Sequence, residues 1–186
     1  MARFSLLAAS ATLGLVSSAL AQCGAGSPDA TVDGSDGSYT ATAGGSVVYS
    51  GSDYLSAIQT AIDSISSGQR VAVIASGSIG ENSISIDSGK TFEGCGTIDV
   101  GYRAGHGAIE SLGTSDVSIP YLSMTGDPYF GLWFYGNSGL NLGEIDMQLS
   151  GGLGIRFERD EAGSTDVTMG TITVSQILSS CSRRRL

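Results

Sequence analysis

One short apolar pattern recurs three times in the second half of the chain. Val117, Ile119, Leu122 and Met124 stand at offsets 0, 2, 5 and 7, and the same offsets return in Leu140, Leu142, Ile145, Met147 and in Val167, Met169, Ile172, Val174. A pattern that returns at near-constant spacing constrains the fold strongly, because each copy is a unit that buries its apolar face only by stacking on the next. The block Gly96-Thr97-Ile98-Asp99-Val100 opens the series, and Ile98, Leu122, Ile145 and Ile172 then step by 24, 23 and 27 residues. A second series, Gly107 to Ser111, Gly131 to Tyr135 and Gly154 to Glu158, runs in phase at steps of 24 and 23. Each repeat therefore carries at least two strands separated by Gly, Asn or Ser corners.

Leucine-rich repeats share this period but need leucines and an asparagine at set positions, which are missing here. A parallel β-helix, whose coils stack about 4.8 Å apart so that like residues form ladders, fits the spacing. The competing architecture is a β-sandwich with accidental self-similarity. Ahead of the repeats, Tyr54, Leu55, Ile58, Ala61, Ile62 and Ile65 fall on one helical face, with Ser52 or Asp53 as cap and Gly68 as stop. A single amphipathic helix over 52–68 is placed to close the open end of the first coil. The expected organisation is an all-β, single-stranded parallel β-helix over 69–174 with that N-terminal capping α-helix.

Outside this block the sequence changes character. Residues 1–21 combine Arg3, an apolar run from Phe4 to about Leu20, and Ala19-Leu20-Ala21, the features of a secretory signal peptide. Residues 22–51, rich in Gly, Ser, Thr and Asp, read as an extended lead-in with one short strand. Asp29, Asp33 and Asp36 alternate there as in calcium loops but lack a closing glutamate, so a solvated loop is the reading kept. After Val174 the pattern stops, and 175–186 (SQILSSCSRRRL) supply neither a coil nor a cap. The expectation is an aberrant basic tail on a solenoid truncated at its C-terminus.

Charge and cysteines narrow the function classes. Removing residues 1–21 leaves eight Lys/Arg against eighteen Asp/Glu, a net charge of −10. Such a surface repels a nucleic-acid backbone. No stretch after residue 21 is long and apolar enough to span a membrane, and the mature chain is expected to be extracellular and monomeric. Three cysteines in an oxidising compartment leave one over. Cys23 with Cys95 is the pairing that would staple the lead-in to the solenoid, with Cys181 remaining; spacing alone does not decide it.

Two stretches, Arg70-Val-Ala-Val-Ile-Ala-Ser-Gly-Ser-Ile79 and Ile84-Ser-Ile-Asp-Ser-Gly-Lys-Thr-Phe-Glu-Gly-Cys-Gly-Thr-Ile98, resemble the opening of the pectate lyase-like superfamily, the pectin lyase fold. The resemblance is specific over Arg70 to Ile98 and extends to Val174 only at the level of rungs. It implies a right-handed helix, of the kind seen in secreted fungal members, and points to binding or degradation of acidic plant cell-wall polysaccharide, by lyase or glycoside hydrolase chemistry if the chain is an enzyme, without implying activity. The Trp-Ile-Asp-His strand, the calcium aspartates and the Arg-x-Pro-x-x-Arg segment of pectate lyases are missing, so no catalytic residue is carried across. Gly105-His106-Gly107 matches a polygalacturonase tripeptide without its companion strands.

Ladder logic supplies candidate residues. With Leu132, Phe134, Ile155 and Phe157 inward, Trp133, Tyr135, Arg156 and Glu158 point outward on adjacent coils. Rings stack on pyranose faces and a guanidinium pairs with a uronate, which suits a substrate-binding surface for acidic polysaccharide. The alternative is that the aromatics pack under the loop Asp127-Pro128-Tyr129. Asp99, Ser123, Asp146 and Thr173 form a second outward ladder, with Asp99 and Asp146 about 10 Å apart, too far for a retaining carboxylate pair. Asp99, Asp146 and Arg156 are the weak catalytic candidates. Asp127, Glu144 and Asp146 are the weak set for a calcium ion, the one cofactor in view. His106, the only histidine, defines no triad by itself. A non-catalytic secreted effector or cell-surface binding protein, using the β-helix for display, is the alternative function.

Overall fold

The computed structural model describes residues 22–158 and 163–176; the stretch 1–21 read as a signal peptide and most of the tail, with Cys181, lie outside them. The described chain is a β-solenoid of about four turns with one short helix near its N-terminus. Two sheets build it. Sheet A carries β4 (Arg70–Val73), β5 (Gly77–Gly80), β7 (Thr91–Val100), β9 (Ser118–Gly126), β11 (Asn141–Leu149), β13 (Thr168–Met169) and β14 (Ile172–Gln176), stacked in parallel. Sheet B stacks β6 (Ile84–Ser85), β8 (Gly107–Leu112), β10 (Phe130–Tyr135) and β12 (Leu153–Phe157).

The 0-2-5-7 offsets have a local cause. In the first two copies the pattern runs along one strand of sheet A, β9 or β11, and in the third it is divided between β13 and β14; in each, an extra residue at a bend between the two inward pairs resets the phase. Leu142 pairs with Ile119, Ile145 with Leu122 and Met147 with Met124, and all six are buried. Pro120 and Gly143 stand at the bend, and a Cβ at Gly143 would run into the Pro120 backbone. The last copy keeps its register, Ile145 with Ile172 and Met147 with Val174.

The first step differs from the spacing read in the sequence. Ile98 pairs with Met124, not with Leu122, and Leu122 lies over Gly94. A register shift between Gly94 and Thr97 leaves Cys95 and Gly96 as extra residues in β7. Leu122 fills the space that the missing side chain of Gly94 leaves. In sheet B the offset is one residue: Gly107 pairs with Phe130 rather than Gly131, so Glu110 rather than Ile109 lies in the row of Trp133.

The corners repeat as strictly as the strands. Gly89, Asp116, Gly139 and Asp166 all have positive φ, at 73°, 55°, 77° and 52°, once per coil. Aspartate tolerates this left-handed conformation better than most side chains, which explains why Asp and Gly alternate at one corner. Asn137, buried beside it, satisfies its amide on Ser111 O (2.9 Å) and Thr114 Oγ1 (2.8 Å).

The lead-in is more ordered than its composition suggests. β1 (Ala30–Ser35), β2 (Ser38–Ala43) and β3 (Ser46–Gly51) form an antiparallel meander, and β1 joins sheet A by pairing in parallel with β4. Asp36-Gly37 and Gly44-Gly45 make its two-residue turns, all four at positive φ. The Asp29 carboxylate accepts from Arg70 N and Gln69 Nε2, which ties the lead-in to β4. The run Arg70 to Ile79 is likewise two strands, β4 and β5, rather than one.

Helix α1 (Tyr54–Asp63) starts on Asp53, whose Oδ1 accepts from Ser56 N at 2.9 Å. Tyr54, Ala57, Ile58, Ala61 and Ile62 are buried against the meander and the first coil. The Lys90 ammonium donates to Ile62 O at the end of this helix and to Asp87, which pairs a cation with the negative end of the helix dipole. Tyr54 donates to Ala75 O at 2.6 Å. Its burial, with Tyr39 alongside, pushes the phenol well above the usual tyrosine range.

Cys23 and Cys95 are bonded, with Cα atoms 5.5 Å apart. The bulge that displaces Cys95 in β7 is what presents it to the lead-in. Beside it, Glu93 is buried and accepts from Gly24 N (3.0 Å) and Arg70 Nη1 (2.8 Å).

Candidate functional site

The outward row of sheet B runs Ser85, Glu110, Trp133, Arg156, one residue per coil. Trp133 is the centre of an aromatic cluster. Its ring lies 6.1 Å from Phe130, 6.0 Å from Tyr135 and 6.1 Å, edge-on, from His106. Tyr129 packs on Phe130 at 4.5 Å and Tyr102 on Tyr129 at 5.5 Å. Five aromatic side chains from two corners and one strand are thus contiguous on one face. The Trp133 Nε1 is buried without a hydrogen-bond partner. Such an orphan donor costs about 1–3 kcal/mol.

Polar groups ring this cluster. The His106 Nδ1 lies 3.0 Å from Glu110 Oε1, which also accepts from Gly107 N at 2.9 Å. A carboxylate oxygen has no hydrogen to give, so Nδ1 is the donor in this pair. Arg103 donates to Ser83 Oγ, which lies 3.4 Å from the same Glu110 oxygen. The Arg156 guanidinium lies 5.8 Å from the Phe130 ring centroid and grips Glu158 through Nε and Nη2 at 2.8–3.2 Å. Arg70 and Lys90 are engaged by Glu93 and Asp87, so the other two described Lys/Arg residues, Arg103 and Arg156, both stand at this face.

Trp133, Tyr135, Arg156 and Glu158 therefore lie together, as the ladder reading places them. Both options for the aromatics are realised in part: Trp133 and Tyr135 are half-buried, and Tyr129 of the 127–129 loop leans on Phe130 rather than over Trp133. The sequence reading missed Glu110, Tyr102, Tyr129 and Phe130 as members. The i, i+4 pairing of His106 with Glu110 arises only because the chain turns at Gly105 (φ 75°) before entering β8.

The carboxylate candidates are not gathered. Asp99 is in register with Thr125, whose hydroxyl it accepts from, while Asp146 is in register with Ser123 and Thr173. The expected Asp99–Asp146 ladder is broken by the β7 bulge. Arg156 stands on the other sheet. Asp127 follows Gly126, which pairs with Leu149, whereas Glu144 pairs with Tyr121. At about 3.3 Å per residue, the six residues from Tyr121 to Asp127 set it roughly 20 Å along the chain from the row of Glu144. Among the described residues the only trio of possible ligands within 4.8 Å is Cys23, Glu93 and Cys95, and its two sulfurs are consumed by the disulfide. No protein-family model matches the chain, and comparison with curated proteins and with solved structures gives no significant match.

Proposed function

We propose that the protein is an extracellular β-helix that binds an acidic polysaccharide across the outward face of sheet B. The observation that carries this reading is the contiguous aromatic cluster from Tyr102 to Tyr135 with Arg103 and Arg156 at its margins. Ring faces and edges give apolar contact to pyranose rings, and guanidinium groups pair with uronate oxygens. The resemblance of Arg70 to Ile98 to the pectate lyase-like superfamily supports a pectin-type polymer. The disulfide supports an oxidising compartment.

The test is retardation in gels cast with polygalacturonate. Trp133→Ala weakens binding at least tenfold, about 1.4 kcal/mol, and Tyr135→Ala weakens it less. Unchanged mobility of the wild-type chain, in gels cast with polygalacturonate or with its methyl ester, removes the reading and favours an effector that uses the solenoid for display. A second reading, cleavage of the bound polymer, draws on the His106–Glu110 pair, since a carboxylate that fixes the imidazole tautomer leaves Nε2 available as a base. Incubation with polygalacturonate, followed by both reducing ends and unsaturated products, tests it.

A further inference from the structure

We propose that Cys23, Cys95 and Glu93 form a zinc-type metal site when the disulfide is reduced, so that bond and cation are alternative staples between the lead-in and the solenoid. The two sulfurs and a Glu93 carboxylate oxygen lie within 4.8 Å of one another. A tetrahedral ion with bonds of about 2.0–2.3 Å needs its ligand atoms roughly 3.3–3.8 Å apart, and side-chain rotation closes that gap. Neither cysteine is held by a ladder while it rotates. Cys95 is one of the two extra residues in the β7 bulge, and Cys23 precedes β1, with the two Cα atoms 5.5 Å apart. Thiolates are soft ligands that select ions of the zinc kind over calcium or magnesium.

Glu93 supplies what a disulfide by itself does not require. It is a carboxylate only 4% exposed, placed beside the two sulfurs. Gly24 N donates to its Oε2 and Arg70 Nη1 to its Oε1, which leaves lone pairs on both oxygens for a cation. Arg70 then orients the ligating carboxylate from behind. Charge is balanced in either state: Glu93 always faces Arg70, and in the reduced state the two thiolates face the divalent ion. A hollow of about 360 Å³, lined by Cys23, Cys95, Tyr121 and Ser123 among others, opens beside the sulfurs and leaves a fourth position for water. A dithiol reductant opens the S–S bond by exchange, giving up two electrons and two protons and leaving as its own disulfide. The cation then displaces both thiol protons to solvent.

The test adds cobalt(II), a spectroscopic stand-in for zinc, to the full chain carrying Cys181→Ser, so that no third thiol takes part. After reduction and removal of the dithiol without air, the chain is expected to take one cobalt, with a sulfur-to-cobalt charge-transfer band and the visible bands of a tetrahedral site. Zinc bleaches both, and the disulfide form shows neither. Cys23→Ser and Cys95→Ser each lose the site, while Glu93→Gln keeps both thiolates and weakens it about tenfold or more. Where circular dichroism shows that Glu93→Gln does not fold, Glu93→Asp, one methylene short of the ion, reads the same loss. X-ray absorption of the zinc form is expected to count two sulfurs. A reduced chain without the charge-transfer band overturns the proposal. So does a band that survives Cys23→Ser, a carboxylate variant that binds as its parent does, or a shell of four sulfurs, which marks an ion shared between two chains.

Discussion

Gly96 sits in the β7 bulge with no room for a side chain. A Cβ there would meet the carbonyls of Ile74 and Ala75, both backbone atoms with no freedom to swing aside. Gly96→Ala is therefore expected to cost about 1–3 kcal/mol, read as a lower urea midpoint at unchanged slope. Tyr54 offers a pH test. Its folded-state pKa is raised above that of the unfolded chain, so its contribution to stability is complete below about pH 10 and is lost as pH rises beyond that. Urea titrations at about pH 8 and pH 11 should show an alkaline loss that Tyr54→Phe reduces, although that variant starts lower for want of the bond to Ala75 O.

Among the elements, the Cys23–Cys95 bond closes a loop of 72 residues that contains the meander, α1 and the first coil. In the chain-entropy account a loop of that length contributes about 4 kcal/mol, so Cys23→Ser with Cys95→Ser should lose up to that amount on chemical denaturation. The apolar ladders and α1 were legible in the sequence because large side chains at fixed offsets leave few alternatives. The meander was not, since its buried positions are Ala30, Val32, Tyr39 and Ala41, mostly small residues among Gly, Ser and Thr. Its turn signals, Asp36-Gly37 and Gly44-Gly45, stood in plain view and carry the hairpins. The error in register at Ile98 has a definite source: two extra residues in one strand shift every pairing after them, and a count of spacings does not register a bulge. The site was half legible for a related reason. Outward direction follows from alternation, but the neighbours of Trp133 come from corners, where periodicity gives no information.

For the whole molecule, the solenoid makes stability a nearest-neighbour property. The coil of β12, β13 and β14 has a neighbour on one side only among the described residues, while β9 is covered on both. Hydrogen exchange should therefore find the amides of β12 and β14 opening first and those of β7 and β9 last. Equal protection along the axis would mean that the coils open as one unit. The helix α1 has a further consequence that concerns time rather than stability. Synthesis delivers the chain N-terminus first, so the meander and α1 leave the ribosome before any complete coil does. The residues of the lid are thus available to the first coil as it emerges. The bulge in β7 is absorbed at the next strand to arrive, because β9 and β11 pair without a shift.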